Sequence, residues 1–88
     1  MRELYRKKKF DKDLRAMQKR GKNLKKLWAV VEMLLGSAVL PDKYRNHKLT
    51  GNWSDFMECH IEPDWLLIYY IDEKSLILAR TGTHSDLF

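Results

Sequence analysis

The segment from Met57 to Gly82, MECHIEPDWLLIYYIDEKSLILARTG, decides the fold of this 88-residue chain. Its first residues alternate between apolar and polar side chains, which is typical of a strand with one buried face. A nearly continuous apolar run follows, as expected of a central strand that is covered on both faces. Because the turns are short, consecutive strands are expected to run antiparallel. Strands are predicted over residues 57–61, 65–71 and 76–81. The turns that join them are predicted over residues 62–64 and 72–74.

The residues before this segment have the periodicity of two helices. Phe10, Leu14 and Met17 form one apolar stripe at helical spacing, and Gly21 supplies a left-handed residue that can end the first helix. Asn23 is a favourable N-cap for the second helix. Helices joined by so short a turn are expected to pack as an antiparallel hairpin. The second apolar stripe, which Gly36 ends, consists of Leu24, Leu27, Trp28, Val31, Leu34 and Leu35.

The rest of the chain completes a single domain over residues 1–88. Residues 2–5 have the composition of a short edge strand, and residues 37–53, with Pro41 and Gly51, are predicted to be irregular. The fold class is therefore α+β. A two-helix hairpin is expected to pack on a small, mainly antiparallel sheet of about four strands.

The charge of the chain is divided sharply between its two parts. Residues 1–27 contain twelve Lys or Arg and three Asp or Glu, a net charge of +9, whereas residues 28–88 have a net charge of −4. Such a basic region attracts polyanions, and we favour nucleic acid over a membrane surface. The alternative is that the basic side chains only solvate a helix. The lysines predicted to bind RNA or the ribosome are Lys8, Lys9, Lys22, Lys25 and Lys26.

The remaining composition indicates a cytoplasmic protein that needs no membrane. Cys59 is the single cysteine, so no internal disulfide is possible. The residues after Met1 are charged, unlike a secretory signal, and the longest apolar run is too short to span a bilayer. A zinc site is not expected, because there is no Cys-x-x-Cys or His-x-x-x-His pair.

Three histidines in the second half of the chain are the candidates for proton transfer. His47, His60 and His84 carry the only side chain type whose unperturbed pKa lets it exchange protons near neutrality. Phosphodiester cleavage needs a base, an acid and fixed positive charge, and RNA supplies its own nucleophile. A lone histidine at a strand end is more often structural, so the catalytic interpretation depends on whether the histidines converge.

The hairpins test this convergence. Counting backwards from the second turn predicts Arg80 opposite Leu66 or Leu67, and His84 opposite Asp64. The first turn brings the preceding strand to the same end of the sheet. Arg80 can alternatively form a surface ion pair with Glu58 or Asp64. The residues predicted to meet are His60, Asp64, Arg80 and His84, and the candidates for stacking on a base are Trp65, Tyr69 and Phe88.

Three ordered motifs resemble the YafQ branch of the RelE-type toxins from bacterial toxin–antitoxin modules. Residues 44–51, YRNHKLTG, are similar to the family pattern YKDHxLxG. Residues 58–69, ECHIEPDWLLIY, match xxHxxPDWxLIY, and residues 80–88, RTGTHSDLF, match RxGTHxxLF. The resemblance covers essentially the whole chain and implies a RelE-like microbial ribonuclease fold.

The resemblance implies an endoribonuclease that cuts messenger RNA in the ribosomal A site. Such toxins need no metal or other cofactor and use attack by the 2′-hydroxyl. In this family pattern His84 would be the general acid, and Asp64 or His60 the base or its orienter. Arg80 would clamp the phosphate. His47 would contact the RNA backbone or assist proton transfer, and Phe88 would place the base or the scissile phosphate.

The resemblance also implies partners, and two other functions compete with the leading one. The partners would be a cognate antitoxin, messenger RNA on the bacterial ribosome, and operator DNA only through the antitoxin complex. One alternative is a non-catalytic basic module that binds RNA or the ribosome. A weaker alternative is a nuclease that acts on free RNA. The leading function and the binding module both predict salt-sensitive RNA binding, so cleavage separates these two. Cutting without ribosomes would identify the nuclease that acts on free RNA.

Overall fold

The computed structural model describes residues 1–36 and 39–88. Within them, two long helices pack on a five-stranded sheet, and a short third helix follows the last strand. The strands are β1 (Glu3–Arg6), β2 (His47–Lys48), β3 (Met57–Glu62), β4 (Trp65–Ile71) and β5 (Ser75–Gly82). The helices are α1 (Lys8–Lys19), α2 (Leu24–Leu35) and α3 (His84–Leu87).

The sheet has the strand order β1-β5-β4-β3-β2, with β4 in the centre. The three predicted strands are confirmed as consecutive antiparallel neighbours, while β1 pairs with β5 in parallel. The remaining strand, β2, lies in the stretch that was predicted to be irregular. The same stretch contains two short 3₁₀ turns, Asp42–Tyr44 and Gly51–Trp53. The part of that prediction that concerns Ser37 and Ala38 lies outside the described residues.

Helix α1 ends, and helix α2 begins, at the residues that the sequence predicts. Gly21 follows α1 with φ +84°, the left-handed conformation that glycine adopts at no steric cost. The Asn23 side chain caps α2 by accepting a hydrogen bond of 3.1 Å from the Lys25 backbone N–H. The rings of Phe10 and Trp28 meet edge to face at 6.4 Å and join the two helices.

The main core lies between the helices and one face of the sheet. Burying each large apolar side chain there contributes about 1.5–3 kcal/mol. No described helix is long and apolar enough to cross a membrane. The most deeply buried members of this core are Phe10, Met17, Leu27, Val30, Cys59, Trp65, Leu67, Leu76 and Leu78.

A bulge in β5 sets the register that matters for the site. Ile71 pairs with Leu76, but Arg80 pairs with Ile68 rather than with the predicted Leu66 or Leu67. Between these pairs the register shifts by one, because Ala79 has no partner on β4. The extra residue sets the residues at the end of β5 back by one position along β4. It thereby brings the start of α3 level with the turn before β4.

Candidate active site

The structure brings the three histidines together in a row. The ring centroids of His47 and His60 lie 6.3 Å apart, and those of His60 and His84 lie 5.7 Å apart. His60 is nearly buried at the end of β3, whereas His47 and His84 are exposed on either side of it. Residues separated by as many as 37 positions in the chain therefore form one cluster. Strand pairing on both sides of β3 creates it.

Asp64 holds His84 at one end of the row. Asp64 Oδ1 accepts the backbone N–H of His84 at 2.9 Å and its ring Nδ1–H at 2.6 Å. These two hydrogen bonds, that from the backbone first, lower the pKa of Asp64 below its usual range. Because Nδ1 donates to the carboxylate, Nε2 is the ring nitrogen of His84 that is left to exchange a proton.

A capping box fixes the start of α3, where His84 is the first residue. Asp86 accepts the Thr83 backbone N–H at 2.9 Å, and Thr83 Oγ1 accepts the Asp86 backbone N–H at 3.2 Å. Arg20, at the end of α1, donates to both Asp86 carboxylate oxygens at 2.7 and 3.0 Å. A Cβ atom at Gly82 would lie only 2.9 Å from Cβ of Asp86, so this close approach requires glycine. We call the three residues Arg20, Thr83 and Asp86 the α3 clamp.

The α3 clamp is expected to lose its stabilising effect in acid. The Arg20 side chain, followed by the Thr83 backbone N–H, holds the pKa of Asp86 well below its usual range. A carboxyl group with a depressed folded-state pKa stabilises the fold above its unfolded-state pKa of about 3.9 and loses that effect as the pH falls. We therefore expect Asp86→Asn to lower Tm at pH 7, and to lower it less at pH 2.5.

Thermal unfolding at both pH values, followed by far-ultraviolet circular dichroism, checks this expectation. Asp55→Asn provides a matched control, because Asp55 is an exposed carboxylate outside the clamp. An Asp86→Asn effect of the same size at both pH values would show that the Asp86 carboxylate is not part of a charged clamp.

Glu58 is a member of the cluster that the motifs did not assign to the site. Its Oε1 lies 3.4 Å from Nε2 of His47 and 3.5 Å from Nε2 of His60, and the residue is only 6% exposed. Glu58 and His60 alternate with one residue between them on β3, so their side chains share one face. That spacing is a sequence signal that could have identified Glu58 as a neighbour of His60.

One hydrogen bond orients the His47 ring, and a second one, made by the preceding residue, anchors its loop. Its Nδ1–H donates to the backbone carbonyl of Arg45 at 2.8 Å. The Tyr69 hydroxyl, at the sheet, donates to Oδ1 of Asn46 and so ties this loop to β4. His60 is oriented in the same way, because its Nδ1–H donates to the Pro63 carbonyl at 3.2 Å. The rings of His47 and His60 thus both present Nε2 towards Glu58.

Arg80 lies on the face of the histidines but does not contact them. It pairs with Ile68, which in turn pairs with Glu58, so the three residues form one row across the sheet. The guanidinium donates to both oxygens of Asp13 in α1, at 2.7 and 3.2 Å. The alternative ion pair with Glu58 or Asp64 therefore does not form. Arg80 also forms no hydrogen bond or ion pair with His60, Asp64 or His84, the residues it was predicted to meet, because Asp13 engages its side chain.

The three aromatic candidates for base stacking differ in solvent exposure. Trp65 is 0% and Tyr69 is 1% exposed, so the expectation that either stacks on a base is wrong. Both pack in the core, and Trp65 Nε1–H donates to Thr81 Oγ1 at 2.9 Å. Phe88 is 64% exposed, and its backbone N–H donates to the His84 carbonyl at 2.9 Å. Only Phe88 of these three residues is accessible to a ligand.

The predicted RNA-binding lysines fall into two groups. Lys8 and Lys9 line a surface cavity of about 380 Å³ together with Arg80. On the other side, Lys22 and Lys26 each donate to the Glu62 carboxylate at 2.8 Å. Lys25 is exposed beside them. Of these lysines, Lys26 therefore lines a groove with His60, and Lys8 and Lys9 line a cavity with Arg80.

The chain matches the family model described as the bacterial toxin of type II toxin–antitoxin systems, YafQ, over residues 2–88. The chain belongs to the YafQ toxin family. It is 41% identical over 80 residues to the mRNA interferase toxin YafQ of Escherichia coli K12. That alignment covers 90% of this chain and 87% of the relative.

Solved structures of YafQ-type toxins have the same fold. The toxin in the E. coli DinJ–YafQ complex is 38% identical and superposes with a TM-score of 0.93, covering 100% of this chain and 99% of that one. A metal-bound toxin from Helicobacter pylori is 47% identical, with a TM-score of 0.92 and 100% coverage of both chains. The five-stranded sheet and its helices are therefore those of the YafQ family.

Cys59 does not add a reactive group to the YafQ-type site. It lies in the core below the histidines, where burial raises the pKa of its thiol to about 12. The thiol therefore stays protonated near neutrality and is neither a nucleophile nor a metal ligand. The groups able to transfer protons on the site face are the three imidazoles and the carboxylates of Glu58 and Asp64.

Proposed function

We propose that this YafQ-family toxin is an endoribonuclease that cuts messenger RNA in the ribosomal A site by general acid–base catalysis. The observation that carries the proposal is the Asp64–His84 pair, which leaves Nε2 of His84 exposed beside a second imidazole, that of His60. The basic flanks suit an RNA substrate. The name of the E. coli relative, mRNA interferase, supports the same activity.

Each member of the cluster has a chemical task in this reaction. His60, next to the Glu58 carboxylate, takes the proton of the 2′-hydroxyl, whose oxygen then attacks the adjacent phosphorus. The P–O bond to the 5′ oxygen breaks, and that oxygen takes a proton from Nε2 of His84. The products are a 2′,3′-cyclic phosphate and a free 5′-hydroxyl. Asp64 acts as the orienter, because its carboxylate holds Nδ1 and stabilises the imidazolium form.

Arg80 and Phe88 complete the proposed site. Asp13 engages Nε and Nη2 of Arg80, so other N–H donors of the guanidinium remain for a phosphate. Arg80 supplies the positive charge that the pentavalent phosphate requires. The exposed ring of Phe88 stacks on the base next to the cleaved bond. His47 faces Glu58 from the other side and contacts the RNA backbone.

A metal is not part of the proposed reaction, although the H. pylori relative is described as metal-bound. Among residues 1–36 and 39–88, no group of three or more His, Cys, Asp or Glu side chains is arranged to hold a metal ion. The Nδ1 atoms of the three histidines are engaged with a carboxylate or a backbone carbonyl. The proposed steps use the protein's own acids and bases.

The partners follow from the family. As a member of a type II toxin family, this chain has a cognate antitoxin, as E. coli YafQ has DinJ. The excess of basic residues over 1–27 favours an antitoxin with an acidic segment on that surface. We expect operator DNA to be bound only through the antitoxin complex.

Cleavage on programmed bacterial ribosomes tests the proposal. Purified protein is added to ribosomes with an empty A site, and the cut ends of the messenger RNA are mapped. We expect a single cut in the A-site codon and little cutting of the same RNA without ribosomes. Binding without any cut would favour the non-catalytic RNA-binding module, and rapid degradation of naked RNA would favour a ribosome-independent nuclease.

A further inference from the structure

A second concave site adjoins the histidine row at His60. This groove, of about 450 Å³, lies between α2, the 3₁₀ turn at Asp42–Tyr44 and the end of β3. His60 lines the groove and also belongs to the histidine row, so the two sites are continuous. The other residues that matter for its chemistry are Lys26, Lys43, Tyr44, Arg45 and Glu62.

The charge of the groove is positive. Three cationic side chains line it, and Glu62 is its single acid. Glu62 is already neutralised, since Lys22 and Lys26 both bind its carboxylate and lower the pKa of Glu62 below its usual range. Among the described residues, Lys43 and Arg45 form no ion pair and are free to bind an anion.

Arg45 is held in an unusual backbone conformation. Its φ of +49° is left-handed, which is unfavourable for a residue with a side chain and persists only where the surroundings fix it. The Arg45 N–H donates to the Asp42 carbonyl at 3.0 Å, and the Arg45 carbonyl accepts Nδ1–H of His47 at 2.8 Å. The residue that lines the groove is therefore also the residue that orients His47.

An aromatic wall accompanies these cations. Tyr44 is half-buried and lines the groove, and the Lys43 ammonium lies 5.1 Å from the centre of its ring. Cationic side chains interleaved with an aromatic face are the usual composition of sites that bind single-stranded nucleic acid. A small inorganic anion would need the cations but not the wall.

We propose that the groove binds the backbone phosphate of the nucleotide adjacent to the cleaved bond, through Lys43 and Arg45. The proposal rests on the proposed function for the position of the cleaved bond, which lies at His60 and His84. A strand that crosses the histidine row continues past His60 into the groove. There Lys43 and Arg45 bind its next phosphate, and Arg45 transmits that contact to His47 through its backbone carbonyl.

The salt dependence of binding to an uncleavable strand tests this subsite. The probe is a fully 2′-O-methylated RNA hexanucleotide, which has no free 2′-hydroxyl and cannot be cut. The variants are Lys43→Ala and Arg45→Asn, because asparagine tolerates the left-handed conformation. Lys74→Ala is the matched control, since Lys74 is an exposed lysine in the turn between β4 and β5.

Each lost phosphate contact is expected to reduce the slope of log K against log salt by about 0.7. We expect that reduction for Lys43→Ala and Arg45→Asn and an unchanged slope for Lys74→Ala. Slopes equal to that of Lys74→Ala would overturn the subsite. Weaker binding to ribosomes without any change for the hexanucleotide would also overturn it, because the groove would then contact ribosomal RNA instead.

The outcome is separable from that of the proposed function. The probe cannot react, so its binding does not depend on catalysis. If the groove variants weaken binding but the protein cuts no messenger RNA, the proposed subsite stands and the proposed ribonuclease activity is refuted. If the protein cuts messenger RNA but neither groove variant changes the slope of log K against log salt, the ribonuclease activity stands and the subsite is refuted.

Discussion

His84→Ala is expected to reduce messenger RNA cleavage on ribosomes by about 10²–10⁴-fold, the usual contribution of a general acid. The variant removes the imidazole whose Nδ1 is held by Asp64, and with it the proton donor for the leaving oxygen. Affinity for the ribosome is expected to change little, because an acid acts in the transition state more than in ground-state binding. Single-turnover cleavage rates and ribosome affinity, measured separately, check both halves of this prediction.

The structure offers a control on the same helix. Ser85 is exposed next to His84, and the α3 clamp of Arg20, Thr83 and Asp86 does not involve its side chain. Ser85→Ala should therefore cleave at close to the parent rate. If His84→Ala lost affinity and cleavage in the same proportion, His84 would be a binding residue and not the acid.

The sequence was sufficient for the long elements and for the short edge strand β1, but not for β2 or for the bulge in β5. Periodicity predicts α1, α2 and the three consecutive strands because each contains enough residues for an apolar face to show. β2 contains only two residues, which is too few to show an alternation of apolar and polar side chains. The bulge at Ala79 is equally invisible, since an unpaired residue in a strand leaves no mark in an apolar run.

The same distinction explains which parts of the site could be predicted. His60, Asp64 and His84 lie near two short turns, and counting from those turns brings them together despite the bulge. His47 could not be placed because its position depends on β2. The resemblance to the YafQ family included it through a motif and not through geometry.

Local sequence patterns could not predict which side chains bind Arg80 and Glu58. Arg80 binds Asp13, which lies 67 residues earlier on a different element, and helix packing alone brings the two together. Glu58 was available from its spacing to His60, but its link to His47 again required β2. The charged residues of such a site are paired by tertiary structure, so the sequence identifies the groups better than their contacts.

Trp65→Ala is expected to destabilise the fold by about 3–5 kcal/mol, the cost of replacing a buried aromatic side chain by alanine. Trp65 is fully buried in the main core at the start of the central strand. An 88-residue domain has a total stability of about 5–15 kcal/mol, so much of it would be lost. Urea denaturation followed by far-ultraviolet circular dichroism measures the change.

Trp53→Ala serves as the matched control, because Trp53 is only half-buried, in a 3₁₀ turn outside the main core. We expect a clearly smaller loss of stability for that variant. Equal losses for the two tryptophans would mean that Trp65 is not the central packing residue that its complete burial indicates.

Trp65 also connects the core to the chemistry, which gives the conservative variant Trp65→Phe a different expected result. The Trp65 indole N–H donates to Thr81 Oγ1 at 2.9 Å, and that hydroxyl donates to the Leu66 carbonyl at 2.7 Å. These bonds join the strand that begins after Asp64 to the strand that ends before His84. Phenylalanine retains most of the burial but removes the donor. We therefore expect a folded protein whose cleavage rate falls about two- to tenfold, which corresponds to the loss of one hydrogen bond. A parent-like rate would show that packing alone sets the distance between Asp64 and His84.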